Sequence, residues 1–235
     1  MQTQQELFAA VKNSIPVMMG YVIIGFAFGL LFVSFDYDWY LAIIMSVFVY
    51  AGALQFLAIG MINAKVGLFD LAIASLVVNL RQSFYGLSVL RKFKSSGLFK
   101  PYLIFALTDE TFALLTSIPE KQGLSAKHYY FYLSLLNQCY WVVGTTIGAI
   151  AGGIFSFNTE GLEFSLTALF IVLAVEQYKN LKSYLPFAIG TVSAIAAYSL
   201  LPVDRMLISA IGFSMLLMFM LKKQIERQVR ATVDG

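Results

Sequence analysis

Twenty-two consecutive residues, Ser14 to Phe35, carry no charged side chain, and several later apolar runs reach 18 residues or more. Runs of that length cross the hydrocarbon core of a bilayer as helices. The rest of the composition agrees. Only 12% of the 235 residues are charged, about half the share of an ordinary soluble domain, and mean hydropathy is +0.77. The first run exceeds a signal-peptide core and lacks a basic leader and a small-residue cleavage pattern, so it is expected to stay as the first span. The single cysteine, Cys139, excludes an internal disulfide and a thiolate cluster, and the single histidine, His128, leaves no set for a metal site. No metal or cofactor is expected. The net charge of +3 fits membrane topology and calls for no nucleic acid.

Eight candidate helices follow from the apolar runs, at about 15–35, 40–62, 68–90, 102–118, 129–155, 162–178, 184–201 and 206–221. The turns are short, so the expected architecture is all-α: one polytopic bundle over 1–235, of seven to eight transmembrane segments. Pro16-x-x-x-Gly20 resembles Pro186-x-x-x-Gly190, but in spans one and seven, out of step with a four-span repeat. Lys and Arg collect in cytoplasmic turns. The tail (Lys222, Lys223, Arg227, Arg230) and the turns with Lys179 and Lys182, and with Lys121 and Lys127, therefore belong inside. Asp36 and Asp38, and Glu160 and Glu163, belong outside, and both termini are cytoplasmic. One turn disagrees. RKFKSSGLFK, Arg91 to Lys100, is the most basic loop, yet eight full spans place it outside. Either the charge rule fails there, or the third and fourth segments together (68–118) form a re-entrant hairpin whose tip returns inside; eight segments are expected, with this hairpin as their irregular pair.

The third segment holds Asn79, Arg81 and Gln82 near its midpoint, and the fourth holds Thr108, Asp109 and Glu110. Arg81 lies ten residues before Arg91 and Asp109 nine after Lys100, so both clusters lie about 14–15 Å from the turn, at matching depth. Eight Leu, Ile or Phe residues in 102–118 favour insertion by roughly 2.5–5 kcal/mol, against roughly 5–7 for two central acids. The segment needs a partner. Arg81 neutralises one acid, Asp109 being favoured, and the other is left as a substrate or proton group. The alternative is a purely structural ion pair. In the second segment Gln55 follows Ala51, Gly52 and Ala53, small residues that let a backbone approach or a helix open. A glutamine bonding across a helix interface is the plainer reading. The Gly25-x-x-x-Gly29 stripe and Gly144, Gly148 and Gly152 are packing surfaces. Pro16, Gly20 and Gly52 join Gly25 and Gly29 as helix-break or packing positions. Asn137 and Gln138 are expected to bond between helices.

These residues carry a resemblance. Pro16 with Gly20, Gly25 and Gly29, AGALQF at 51–56, NLR at 79–81, TDETFAL at 108–114 and FSLTALFIVL at 164–173 occur in the order of the AzlC-type large subunits of bacterial branched-chain amino acid exporters. The resemblance implies a secondary transporter in the inner membrane, exporting valine, leucine, isoleucine or methionine on the proton gradient. It also implies a small hydrophobic AzlD-type partner subunit. Members often carry His after NLR, where this chain has Gln82, so a proton role there would move to Asp109 or Glu110. No phosphate loop supports ATP-driven transport. The rival classes are a membrane scaffold and an intramembrane enzyme. The second fits poorly, because His128 lies at a membrane edge and the two acids are adjacent rather than in separate segments.

Overall fold

The structure, a computed structural model, describes residues 2–117, 125–154, 171, 174–175, 178, 183–201, 203–222 and 224–225. Among these every regular element is helical: α1 (Gln2–Ser34), α2 (Trp39–Phe48), α3 (Gly52–Asn63), α4 (Leu68–Val89), a 3-10 segment (Lys92–Phe99), α5 (Lys100–Phe105), α6 (Asp109–Ser117), α7 (Ala126–Ile154), α8 (Leu185–Leu200) and α9 (Val203–Met220). They fall into two compact units, Met1–Ala64 with Ser75–Glu163, and Lys65–Ala74 with Phe164–Gly235. The second contains α8 packed on α9. The expected segment 162–178 lies almost wholly outside the described residues.

The first unit is built on two long helices. α1 has 33 residues and α7 has 29, about 50 and 43 Å. Contacts advance together along both, so the helices run parallel. Glu6 accepts the Ser125 N–H (2.8 Å), Asn13 donates to the Tyr129 hydroxyl (2.9 Å), and Tyr21 stands edge-on to Trp141 (5.5 Å). Small residues make the approach possible. A Cβ on Gly25 would lie 2.8 Å from the Trp141 carbonyl oxygen, and one on Gly144 2.5 Å from that of Val22. Gly29 and Gly148 are tighter still, against Thr145 and Phe26. α1 continues through Pro16, and nothing lies near the Gly20 Cβ position. Pro16 breaks no helix, and Gly20 marks no close contact.

The second and fourth candidate segments are not single spans. The second breaks at Val49–Tyr50–Ala51, and its halves fold back on each other. Gln55 Nε2 reaches Ser46 Oγ at 3.2 Å, while Leu41, Met45, Ile59 and Ile62 line one apolar cavity. A straight helix would hold Leu41 and Ile59 about 27 Å apart. The fourth breaks at Ala106–Leu107–Thr108 and also returns. Leu103 and Leu115 share a core cluster with Val89 and Phe93, and Lys92 Nζ bonds the Leu115 carbonyl at 2.6 Å.

The two hairpins enter from opposite ends. α2–α3 starts after the C-terminus of α1, whereas α5–α6 starts beside the first turn of α7, where Phe99 stacks on Phe131 (4.5 Å). Between them α4 is a continuous helix of 22 residues, about 33 Å, whose last turn packs with Ala10 near the start of α1. The re-entrant hairpin expected from the third and fourth segments together is not what forms: 68–89 is one intact helix, and the fold-back lies inside the fourth segment, at 100–117. The hairpin at 39–63 was not foreseen. Helix breaks at depth are tolerated where protein buries them, and Tyr50 and Leu107 are indeed buried.

Polarity is distributed inside out. Phe8, Met19, Ile23, Leu76, Phe84 and Phe219 are exposed, while Ser14, Ser46, Gln55, Thr111, Asn137 and Thr145 are fully buried. An apolar exterior around a hydrogen-bonded interior suits a lipid solvent.

Candidate substrate and proton site at the hairpin tips

The two breaks face each other. Tyr50 in the first lies 6.4 Å, ring to ring, from Phe105 at the second. Gln138 on α7 ties both hairpins: its Oε1 accepts the Tyr102 hydroxyl (2.7 Å) and its Nε2 donates to the Val47 carbonyl (3.0 Å). Tyr50 has a φ of 34°, a left-handed backbone that costs a bulky residue about 1–2 kcal/mol. The packed tip holds it there.

Thr108 is the N-cap of α6, its Oγ1 accepting the Thr111 N–H at 3.2 Å. Asp109 and Glu110 are therefore the first two helical residues, not mid-helix ones. At that position unsatisfied N–H groups and the positive end of the helix dipole favour negative charge. This changes the insertion arithmetic above, which charged both acids to a continuous helix and left Arg81 as their only relief.

Arg81 pairs with Asp109, Nη1 to Oδ2 at 2.9 Å, each side chain about 30% exposed (31% and 30%). The matched depth seen in the sequence thus becomes a contact, and Asp109 is the partner. Glu110 goes elsewhere. Its Oε2 takes the Tyr21 hydroxyl at 2.6 Å, while the residue itself is exposed. Tyr21 also meets Thr108 Oγ1 (2.7 Å), which meets Thr111 Oγ1 (3.0 Å), to which Asn137 Nδ2 donates (3.0 Å).

Gln55 is fully buried, one turn into α3, and through Ser46 it joins Thr145 of α7 (Ser46 to Thr145, 3.0 Å). Its Oε1 has no hydrogen-bond partner among the described residues. Gly52, the first residue of α3, lies under the Trp141 ring, where a Cβ would stand 2.9 Å from Cη2. Asn79 and Gln82 are half-buried on α4, and no hydrogen bond links either to the tips among the described residues. The structure thus brings together Arg81, Asp109, Thr108 and Glu110, and sets Gln55 and Gly52 on the facing hairpin. Tyr21, Tyr50, Thr111 and Trp141 were missed. An aromatic or threonine in an apolar run reads as filler until its neighbour across the bundle is known.

Two opposed, broken hairpins around a charged pair beneath an apolar exterior fit a membrane protein with a polar interior. The family model described as "AzlC protein" matches residues 16–155, and the chain belongs to that family. A Bacillus subtilis (strain 168) protein named "Branched-chain amino acid transport protein AzlC" is 32% identical over 97% of the chain and 91% of its own length. A Helicobacter pylori (strain ATCC 700392 / 26695) protein described as an uncharacterized membrane protein is 42% identical over 92% of the chain and 95% of its length. The "Inner membrane protein YgaZ" of Escherichia coli (strain K12) is 26% identical over 80% and 81%. No solved structure matches the chain.

Proposed function

We propose that the chain is the large subunit of a two-component, proton-driven exporter of branched-chain amino acids in the bacterial inner membrane. The observation that carries this reading is the meeting of two opposed hairpin tips at a charged, hydrogen-bonded interior. Discontinuous helices present backbone N–H groups and carbonyls at the depth where transporters bind solutes. A zwitterion with an aliphatic side chain needs three things. Glu110 offers an acceptor for the ammonium or for a proton. The first turns of α3 and α6, with Gln55 and Thr108 beside them, offer donors for the carboxylate. An open apolar cleft of about 330 Å³ between the end of α1 and the first hairpin, lined by Phe32, Leu41, Phe48 and Ile59, suits the side chain. Arg81 and Asp109 anchor the second hairpin to α4. The named transport relative from Bacillus subtilis supports the substrate class. The partner, a small hydrophobic subunit of the AzlD type, follows from the family resemblance.

Topology supports the same reading. If the hairpins do not cross, α1, α4, α7, α8 and α9, together with the span that the sequence alone places at 162–178, make six crossings. Both termini then lie inside, together with Arg91–Lys100, Lys127 and Lys222, in keeping with the charge rule. The test is labelled-valine counterflow in proteoliposomes, and efflux from cells, with and without the small subunit. The pair should export and the single chain should do so poorly. Absence of counterflow from the pair would overturn the proposal in favour of a scaffold with a structural ion pair.

A further inference from the structure

The hydroxyl chain at the second hairpin has a direction that hydrogen-bond counting determines. Tyr21 has one phenolic proton and two short contacts, Glu110 Oε2 at 2.6 Å and Thr108 Oγ1 at 2.7 Å, with the Tyr50 hydroxyl beside it. In the state where Glu110 is a carboxylate, which only accepts, the phenol donates to it. The Tyr21–Thr108 contact must then be filled by the Thr108 proton. The Thr108–Thr111 contact (3.0 Å) is filled by the Thr111 proton in turn, and Thr111 Oγ1 accepts from Asn137. Every donor points toward Glu110, and each bond strengthens the next. Tyr21, Thr108, Thr111 and Asn137 are all more than nine-tenths buried, so no bulk water competes.

We propose that Tyr21 is a positioning residue that reads the protonation of Glu110 and passes it to the tip of the second hairpin. This rests on the transport reading above and gives that site its coupling step. A proton arriving from the aqueous side adds to the Glu110 carboxylate, and no other bond changes in number. The charge-assisted Tyr21 bond becomes a neutral one of about half the strength. The chain then loses the charge that orients it. Thr108 is both a member of the chain and the cap of α6, so the proton state of Glu110 reaches the hinge of the hairpin directly. The groups facing Glu110 are Tyr21 from α1 and Tyr50 from the first hairpin. Tyr85 and Arg81 face it from α4, Asp109 precedes it on its own helix, and Cys139 of α7 lies beyond, beside Tyr50.

The experiment uses the full chain with its small subunit in proteoliposomes. Labelled-valine transport is measured in two modes: counterflow at equal pH, and net movement driven by a pH gradient. The variants are Tyr21→Phe, Glu110→Gln and the double. Tyr21→Phe keeps the ring that packs on Trp141 (5.5 Å), and its melting temperature reports folding separately. The ratio of gradient-driven transport to counterflow should fall about tenfold or more in each single variant, the size of one lost charge-assisted bond. The double should match Glu110→Gln, because a phenol with no charge to read has nothing to report. A Tyr21→Phe protein that loses both modes in proportion, or a double clearly worse than Glu110→Gln, overturns the inference alone. No valine counterflow in the unmodified pair overturns the transport reading and this step with it.

Discussion

Neutralising Asp109 should unfold the protein more readily than neutralising Glu110, although the two residues are neighbours. Asp109 lies 2.9 Å from the Arg81 guanidinium with about 30% of its side chain exposed. Removing one partner of a fully buried pair costs roughly 3–5 kcal/mol, and an exposed pair is worth roughly 0–1. The observed burial sits between these, so Asp109→Asn should cost about 2–3 kcal/mol. Part of that, roughly 0.3–1 kcal/mol, is the lost attraction of a carboxylate for the α6 N-terminus. It does not return when Arg81 is also changed. The double Arg81→Gln, Asp109→Asn should therefore recover about half of the loss or more, but not all. Glu110→Gln loses only the dipole share and part of one hydrogen bond, about 1 kcal/mol. The assay is denaturant unfolding of the purified chain in a fixed detergent for the three singles and the double. If Asp109→Asn is no more costly than Glu110→Gln, or if the double equals the sum of its singles, the pair does not hold the hairpin.

Gly148→Ala should be severely destabilising, by about 2 kcal/mol or more, because its Cβ would meet the Phe26 carbonyl across the α1–α7 contact; Gly20→Ala, with nothing near, should be neutral or stabilising by up to about 1 kcal/mol, and parallel thermal unfolding compares them. A cysteine at Leu98, which is 96% exposed, in a background with Cys139 replaced, should resist an impermeant thiol reagent in intact cells and react once the membrane is opened; labelling of intact cells would refute the six-crossing topology. Gln138→Leu should strand the Tyr102 hydroxyl and the Val47 carbonyl together, at roughly 1–3 kcal/mol for each group left unsatisfied. Gln138→Glu, which keeps the acceptor for Tyr102, should cost less, and equal losses in thermal unfolding would contradict the clasp.

The helical class, the apolar segments and the depth of the Arg81 and Asp109 pair were legible because each is a local or one-dimensional property: run length, charge content, residues counted from a turn. The hairpins were not. Trp39–Phe48 and Gly52–Asn63 join into one apolar run long enough to span, and neither Tyr50 nor Leu107 belongs to the usual turn residues. What bends the chain at these points is the environment waiting for it. Ser46, Gln55 and Thr145 bond one another, and Gln138 takes up the Val47 carbonyl that a continuous helix would have satisfied itself. The partners on α7, Thr145 and Gln138, lie 99 and 91 residues away from Ser46 and Val47, beyond any periodicity. The proline comparison failed for a similar reason. Pro16 sits inside α1, whereas Pro186 lies in the first turn of α8, where its missing N–H is harmless. The same spacing serves different backbones.

The misfit of the basic turn and the misplaced acids have one cause. With a single hairpin replacing two crossings, Arg91–Lys100 would move inside only if that hairpin contained the third segment, which is a continuous helix. With hairpins at both the second and the fourth segments, the third segment alone separates them, and the turn after it falls beside the N-terminus of α1. In the proposed six-crossing topology the same breaks that remove two crossings create two new helix N-termini at the hairpin tips. One of these carries Asp109 and Glu110 at its first two positions. A mid-helix glutamate in lipid would have required a cation of its own. At an N-terminus, capped by Thr108 and bonded by Tyr21, it is held without one. Asp109 takes Arg81, and Glu110 keeps a carboxylate that no cation pairs with among the described residues. In the proposed exporter that is the group left to meet a substrate ammonium or a proton, because neutralising it leaves the Arg81–Asp109 anchor of the hairpin in place.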